Sequence, residues 1–311
     1  MTPVLNAYYT QVLTIMGINT IMALGLNLIT GVTGQLSLGH AAFMSIGAYG
    51  AAILTLNYGA PFWLALLFGA LLAAFFGVLL GFPTLRLSGD YLAIATLGFG
   101  EITRVILLNL DIAGRALGLS GIPHSASFSG VWILAILSII AMVFIGNSRL
   151  GRAFLAIRED EIAAEAMGVN STSYKIQAFA IGSFFAGLGG GLYAHYITYL
   201  NPSDFGFMKS IEILNMVVLG GMGSIPGTIL GAGVLTAIPE LLRAVREYRM
   251  LFYGGLLIFM MIFKPNGLLG GVHFSTIRDW FVRLFKGTGG VGKAPGGPDT
   301  GEEAQSRVQE G

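Results

Sequence analysis

Residues 146–175 read GNSRLGRAFLAIREDEIAAEAMGVNSTSYK, a charged island set between two apolar runs, 131–145 and 176–200. That alternation decides the fold. Apolar runs of this kind recur along the chain and reach the ~20 residues that a helix needs to cross a bilayer. Within the island, residues 160–168 (DEIAAEAMG) predict a two-turn helix. Asp160 suits its N-cap, Glu161 places negative charge in the first turn, and Gly168 suits a left-handed C-terminal residue. Ile162, Ala163, Ala166 and Met167 share one face, with Glu161 and Glu165 on another. A short amphipathic helix on a soluble loop is suited to docking in a partner's groove. The plainer alternative is a solvated loop between two membrane spans.

Composition sets the class. Of 311 residues, 54% are hydrophobic and 11% charged, with a mean hydropathy of +0.75. Soluble domains carry roughly 25% charged residues, so there is too little charge here to coat a water-facing surface. The alternating polar and apolar pattern of a membrane barrel is absent. The expected fold is therefore an all-α polytopic membrane protein with about nine transmembrane or partly re-entrant helices. Net charge +1 argues against a nucleic-acid partner, and the absence of Cys removes disulfides, thiolate metal sites and Cys nucleophiles. The N-terminus lacks the cationic start of a cleaved signal peptide.

Taken in order, the expected spans are 9–29, 40–56, 61–82, 91–110, 131–145, 176–200, 208–219, 228–242 and 250–263. Glycine-rich breaks fall at 30–39 and 220–227. Residues 1–270 form the membrane domain. A basic surface segment follows at 271–286, and the polar, glycine-rich tail 287–311 is expected to be disordered. Cationic residues favour the cytoplasm. Arg149, Arg152, Arg158 and Lys175 place loop 146–175 inside, and Lys264, Arg278, Arg283, Lys286 and Lys293 place the tail there. Counting back through five spans puts the N-terminus outside. Arg243, Arg246 and Arg249 then fall outside, against the rule, which allows re-entrant geometry in the two segments before them.

Intramembrane charges are costly and mark function or structural ion pairs. Glu101 and Arg104 have the i, i+3 spacing of a same-face pair, as do Lys209 and Glu212. His40 and His195 read as capping or packing residues. The glycines at 187–191 favour close helix packing. Paired breaks at corresponding places in two halves point to a transport path, because broken helices expose backbone groups to a cavity. The path candidates are Gly39, His40, Glu101, Gly220, Gly221 and Gly223. No catalytic constellation, cofactor motif or metal-ligand cluster is present in the sequence, and an enzyme is not expected.

Four stretches together resemble a known family: residues 34–43 (GQLSLGHAAF), 87–97 (LSGDYLAIATL), 151–168 (GRAFLAIREDEIAAEAMG) and 218–227 (VLGGMGSIPG). They look like the permeases of branched-chain amino acid ABC importers, and the second is similar to the M-type subunit. The resemblance covers about 9–270. It implies a non-catalytic subunit in a bacterial cytoplasmic (inner) membrane, working with an H-type sister permease. Two cytoplasmic ATPases and a periplasmic or extracellular substrate-binding protein complete the set, in contact with membrane lipid. It also implies that 146–175 is the ATPase-coupling loop, with Arg158, Asp160, Glu161, Ile162, Ala163, Ala164, Ala166, Met167 and Gly168 as the coupling candidates. Relatives also carry urea, amides or aromatic acids. The rival from another class is a stand-alone channel or secondary carrier.

Overall fold

A computed structural model describes residues 7–84, 87, 89–241, 254, 255 and 267. The expected span 250–263, the segment 271–286 and the tail 287–311 lie outside the described residues, apart from Gly254 and Gly255. Among the described residues ten α-helices carry the architecture: α1 (Ala7–Leu26), α2 (His40–Tyr58), α3 (Phe62–Thr84), α4 (Asp90–Asn109), α5 (Phe128–Asn147), α6 (Arg149–Glu159), α7 (Glu161–Ala166), α8 (Ser171–Ile197), α9 (Phe207–Gly220) and α10 (Ile225–Leu241). Among the described residues six helical segments are long and apolar enough to cross a membrane. They are α2, α3, α4, α5, α8, and α1 together with the π-helical turn Asn27–Val32 that continues it. α9 and α10 are shorter, at 14 and 17 residues, and pack against each other and against α1.

The bundle is organised around α8. It packs on α1, α2 and α3, and small residues make the approach possible. Gly182, Gly187, Gly189, Gly190 and Gly191 are all buried along it. In lipid the apolar effect does not hold helices together, so close van der Waals contact at such ridges must. The outer faces of α3 and α5 are the converse. Leu67, Leu71, Phe75 and Leu79 on α3, and Ile133, Ile136, Leu137 and Phe144 on α5, are large, apolar and exposed, as lipid-facing positions should be.

The first glycine break is deeper than a tight turn. His40 begins α2, is fully buried, and its Nε2 lies 3.0 Å from the carbonyl oxygen of Met22. Met22 is ten residues before Val32, or about 15 Å back along a helix rising ~1.5 Å per residue. Residues 33–39 therefore return into the bundle in non-helical form, and α2 starts inside it. The Leu38 amide donates to Thr96 Oγ1 on α4 (2.9 Å), and the Ala41 amide to Ser210 Oγ on α9 (3.1 Å). These bonds answer the free amides of a helix start buried away from water. Between α8 and α9, Tyr199–Leu200 pairs antiparallel with Leu119–Ser120 of the α4–α5 connection, a small exception to the all-α pattern.

Candidate functional site

The island 146–175 folds as two capped helices and not as a loop around one. Ser148 caps α6, its Oγ accepting from the amides of Leu150 (3.1 Å) and Gly151 (3.4 Å). Phe154 and Ile157 are buried on the inner face of α6. Asp160, in extended backbone, ends α6 and starts α7. Its Oδ1 accepts from Ile162 N (2.9 Å) and Ala163 N (3.0 Å). At the far end Gly168 has φ +85°, with Gly168 N donating to Glu165 O (2.9 Å) and Val169 N to Ala164 O (3.0 Å). These two bonds make a Schellman cap.

α7 is pinned on one side and open on the other. Ala164 is buried, Glu161 pairs with Lys175, and Glu165 accepts from the Ser171 hydroxyl, both partners belonging to the first turns of α8. Ile162 is 82% exposed and Met167 86%, with Ala163 and Ala166 beside them in solvent. The resemblance places Ala164 among the coupling residues, and in the structure it packs inward. The two carboxylates hold the helix on its carrier.

Arg158, exposed on α6, also reaches inward. Its Nη1 donates to the Gly31 carbonyl in the π-helical turn at 2.5 Å. Nearby, the Gly223 amide donates to Asn27 Oδ1 (2.8 Å), so the two glycine breaks touch each other and α6 at one end of the bundle. The other path candidates separate. Gly39, His40 and Gly220 are packed inside. A Cβ on Gly39 would lie 2.2 Å from Thr96 O, and one on Gly220 2.2 Å from Gly227 O. Gly221 (φ +109°) and Gly223 (φ +87°) shape the turn between α9 and α10. Glu101 forms the expected ion pair, its Oε2 at 2.8 Å from Arg104 Nη2, and Lys209 Nζ lies 3.1 Å from Glu212 Oε2. The Glu101 and Arg104 side chains are 43% and 32% exposed in the middle of α4. Four buried polar atoms on or beside the first break, Thr30 Oγ1, Gln35 Oε1, Ser37 Oγ and His40 Nδ1, have no hydrogen-bond partner among the described residues.

Comparison with known proteins gives this arrangement its context. Residues 8–261 match the family model described as branched-chain amino acid transport system / permease component. The chain is 42% identical over 284 residues to the high-affinity branched-chain amino acid transport system permease protein LivM of Salmonella typhimurium, covering 80% of this chain and 67% of that protein. It is 42% identical over 294 residues to LivM of Escherichia coli, covering 83% and 69%. It is also 34% identical over 161 residues to the LivH permease protein of Escherichia coli, covering 48% and 52%. No solved structure matches it significantly. By the family match and by identity across most of its length, the chain belongs to the branched-chain amino acid transport permeases and is of the LivM type.

Proposed function

We propose that the chain is the membrane-spanning subunit of an ATP-driven importer of branched-chain or related hydrophobic amino acids, and that α7 is the helix on which a cytoplasmic ATPase docks. One observation carries the docking reading: α7 is capped at both ends and tied to α8 by Glu161 and Glu165, yet leaves Ile162 and Met167 more than four-fifths exposed. A rigid helix with an uncovered apolar face fits the helix-in-groove mode of recognition. In mechanism, ATP closes the ATPase dimer, α7 moves with it, and the bundle alternates between inward and outward opening. The test is reconstitution with the two ATPases, an H-type sister and a binding protein. ATP-dependent leucine uptake is expected. Uptake by the chain alone would return it to the channel or carrier class, and ATP-dependent uptake of urea with none of leucine would move the substrate.

The exposed faces support a place for the path. α3 and α5 turn only apolar residues outward at the positions named above. α4 carries a half-exposed ion pair, and an ionised group facing lipid costs about 3 kcal/mol. Arg104 also borders the start of α9, where a Cβ on Gly206 would lie 3.9 Å from Arg104 Cδ. The α4–α9 face is thus suited to the sister permease and a hydrated path between the two. Replacing the pair by Leu at both positions is expected to lower uptake about tenfold at normal membrane abundance, one lost interaction of about 1.4 kcal/mol in the barrier. Exchanging the two residues keeps the ion pair but reverses its order along the path. Full uptake by the exchanged variant would make the pair structural only.

Orientation follows from the cationic count. A reporter fused at Pro3 is expected outside, and one fused after Lys286 inside. Equal signals would mean an even number of crossings.

A further inference from the structure

The meeting point of α6, the π-helical turn and the α9–α10 turn does more than the sequence assigns to any of its parts. Gly31 lies in the last turn of a helix, where carbonyls lack an amide partner further along. The π turn ends with the Thr33 amide on Leu28 O (3.1 Å) and the Gln35 amide on Ile29 O (3.0 Å), and the Arg158 guanidinium takes the carbonyl of Gly31. The stem of the same side chain lies along the returning segment. A Cβ on Gly34, at φ +75°, would be 3.1 Å from Arg158 Cγ. Its tip abuts the second break, since a Cβ on Gly223 would be 2.7 Å from Arg158 Nη1 and 3.1 Å from Gly31 O. The Asn27 side chain closes the ring by accepting the Gly223 amide. One cation thus touches the exit of α1, the segment leading into α2, and the turn joining α9 to α10. It stands in the last turn of α6, two residues before the N-cap of α7.

We infer that Arg158 is a positioning residue that transmits displacement of α7 to both interrupted helices, rather than a contact for the ATPase. The inference rests on the docking reading above. Three features make the joint fit this task. The planar fork of a guanidinium can take more than one acceptor at once. α6 is short and capped, with Phe154 and Ile157 buried beneath it, so its last turn moves as a piece with the start of α7. The π turn is a wide, non-standard helical turn of the kind found at functional sites, and one shift of hydrogen-bond register returns it to α geometry. Pulling on Gly31 O acts on that turn directly, and Asn27 carries the same movement to Gly223. The coupling is a contiguous set of bonds from α6 to both breaks.

The experiment uses the assembled importer in proteoliposomes with its binding protein, comparing wild type with Arg158→Gln, Arg158→Lys and Gly223→Ala. The ATPases should co-purify with Arg158→Gln at the wild-type ratio, because Ile162, Ala163, Ala166 and Met167 are untouched. ATP hydrolysis should continue but lose its response to loaded binding protein. Substrate moved per ATP should fall about tenfold, within the range of measured coupling between sites. Lys keeps the charge and loses the fork, so Arg158→Lys should fall between. Gly223→Ala drives a methyl against the guanidinium in a backbone conformation that disfavours Ala, and should uncouple in the same way. Unchanged transport per ATP in Arg158→Lys and Gly223→Ala would overturn the inference. So would loss of ATPase co-purification in the Arg158 variants, which would make Arg158 a docking contact and leave the docking reading standing. If Arg158→Gln does not accumulate, Arg158→Lys carries the same two tests. Failure of the docking reading itself would appear elsewhere, as normal ATPase binding by variants of the exposed α7 face.

Discussion

Ala163→Asp is expected to abolish uptake while leaving the permease inserted and abundant. Ala163 lies in solvent beside Ile162 and Met167, so an Asp there disturbs nothing within the chain. In an ATPase groove the same carboxylate would be buried without a partner. Such burial costs several kcal/mol, and about 3 kcal/mol weakens binding roughly a hundredfold. Gly168→Val reaches the same end by another route. Nothing lies within 4 Å of a Cβ built on Gly168, so crowding is no obstacle, but φ +85° is strained for a β-branched residue. The Schellman cap should loosen and α7 lose its fixed exit. Glu165→Gln is the control. Glu165 accepts from Ser171, and Gln retains an acceptor for that bond, so uptake should stay near wild type. ATPase pull-down and uptake are read from one membrane preparation. Wild-type uptake by Ala163→Asp and Gly168→Val would return residues 146–175 to a solvated connection.

What the sequence could reveal followed contact distance along the chain. Asp160 and Gly168 act within four residues of themselves, and the cap and the positive φ both follow from residue type. The pairs Glu101–Arg104 and Lys209–Glu212 are one helical turn apart, and the i, i+3 spacing is enough to find them. Glycines at 187–191 indicate close packing before any partner is known. α6 is hard to see in the sequence for a different reason. Charges and two glycines in 146–152 look like loop, although Ser148 as a cap and the apolar spacing of Phe154 and Ile157 were available signals. The return of residues 33–39 into the bundle was not legible, because it depends on His40 meeting Met22 and Leu38 meeting Thr96. The family resemblance places Arg158 in the docking group. Its actual partner, Gly31, is 127 residues away, and no local pattern predicts that. The same holds for Lys175, whose charge helped to orient the loop but whose carboxylate partner is Glu161.

These distant contacts tie the exposed helix to the membrane part. α7 rests on α8 through Glu161 and Glu165, and α8 is the helix against which α1, α2 and α3 are packed. α6 meets the end of α1 through Arg158. On the docking proposal, a force on α7 would pass inward through the carrier helix and through the joint. The first depends on how rigidly α8 is held, which the glycine ridge determines.

Gly190→Val is accordingly expected to give the largest loss of folded protein. A Cβ at Gly190 would stand 2.0 Å from the Met44 carbonyl oxygen, and one at Gly47 would stand 2.3 Å from the Gly187 Cα. Non-bonded heavy atoms need about 3.5 Å. The obstructing atoms are backbone in both cases, so no rotamer change makes room and the helices must move apart. Overpacking typically costs 1–3 kcal/mol, and here the separation also removes contacts along the neighbouring turns of α2 and α8. Gly190→Val and Gly47→Val should each leave little monodisperse permease after extraction in mild detergent, with what remains unfolding at lower temperature. Gly98→Val separates this effect from the general cost of altering a membrane helix. Gly98 is exposed on α4, with nothing within 4 Å of a Cβ, and Val is the better helix former. The isolated chain should fold normally with Val at 98. If the α4 face also meets a sister permease, that variant should assemble poorly despite its normal fold. Normal abundance and unfolding temperature for Gly190→Val would contradict the close α2–α8 approach from which this expectation is drawn.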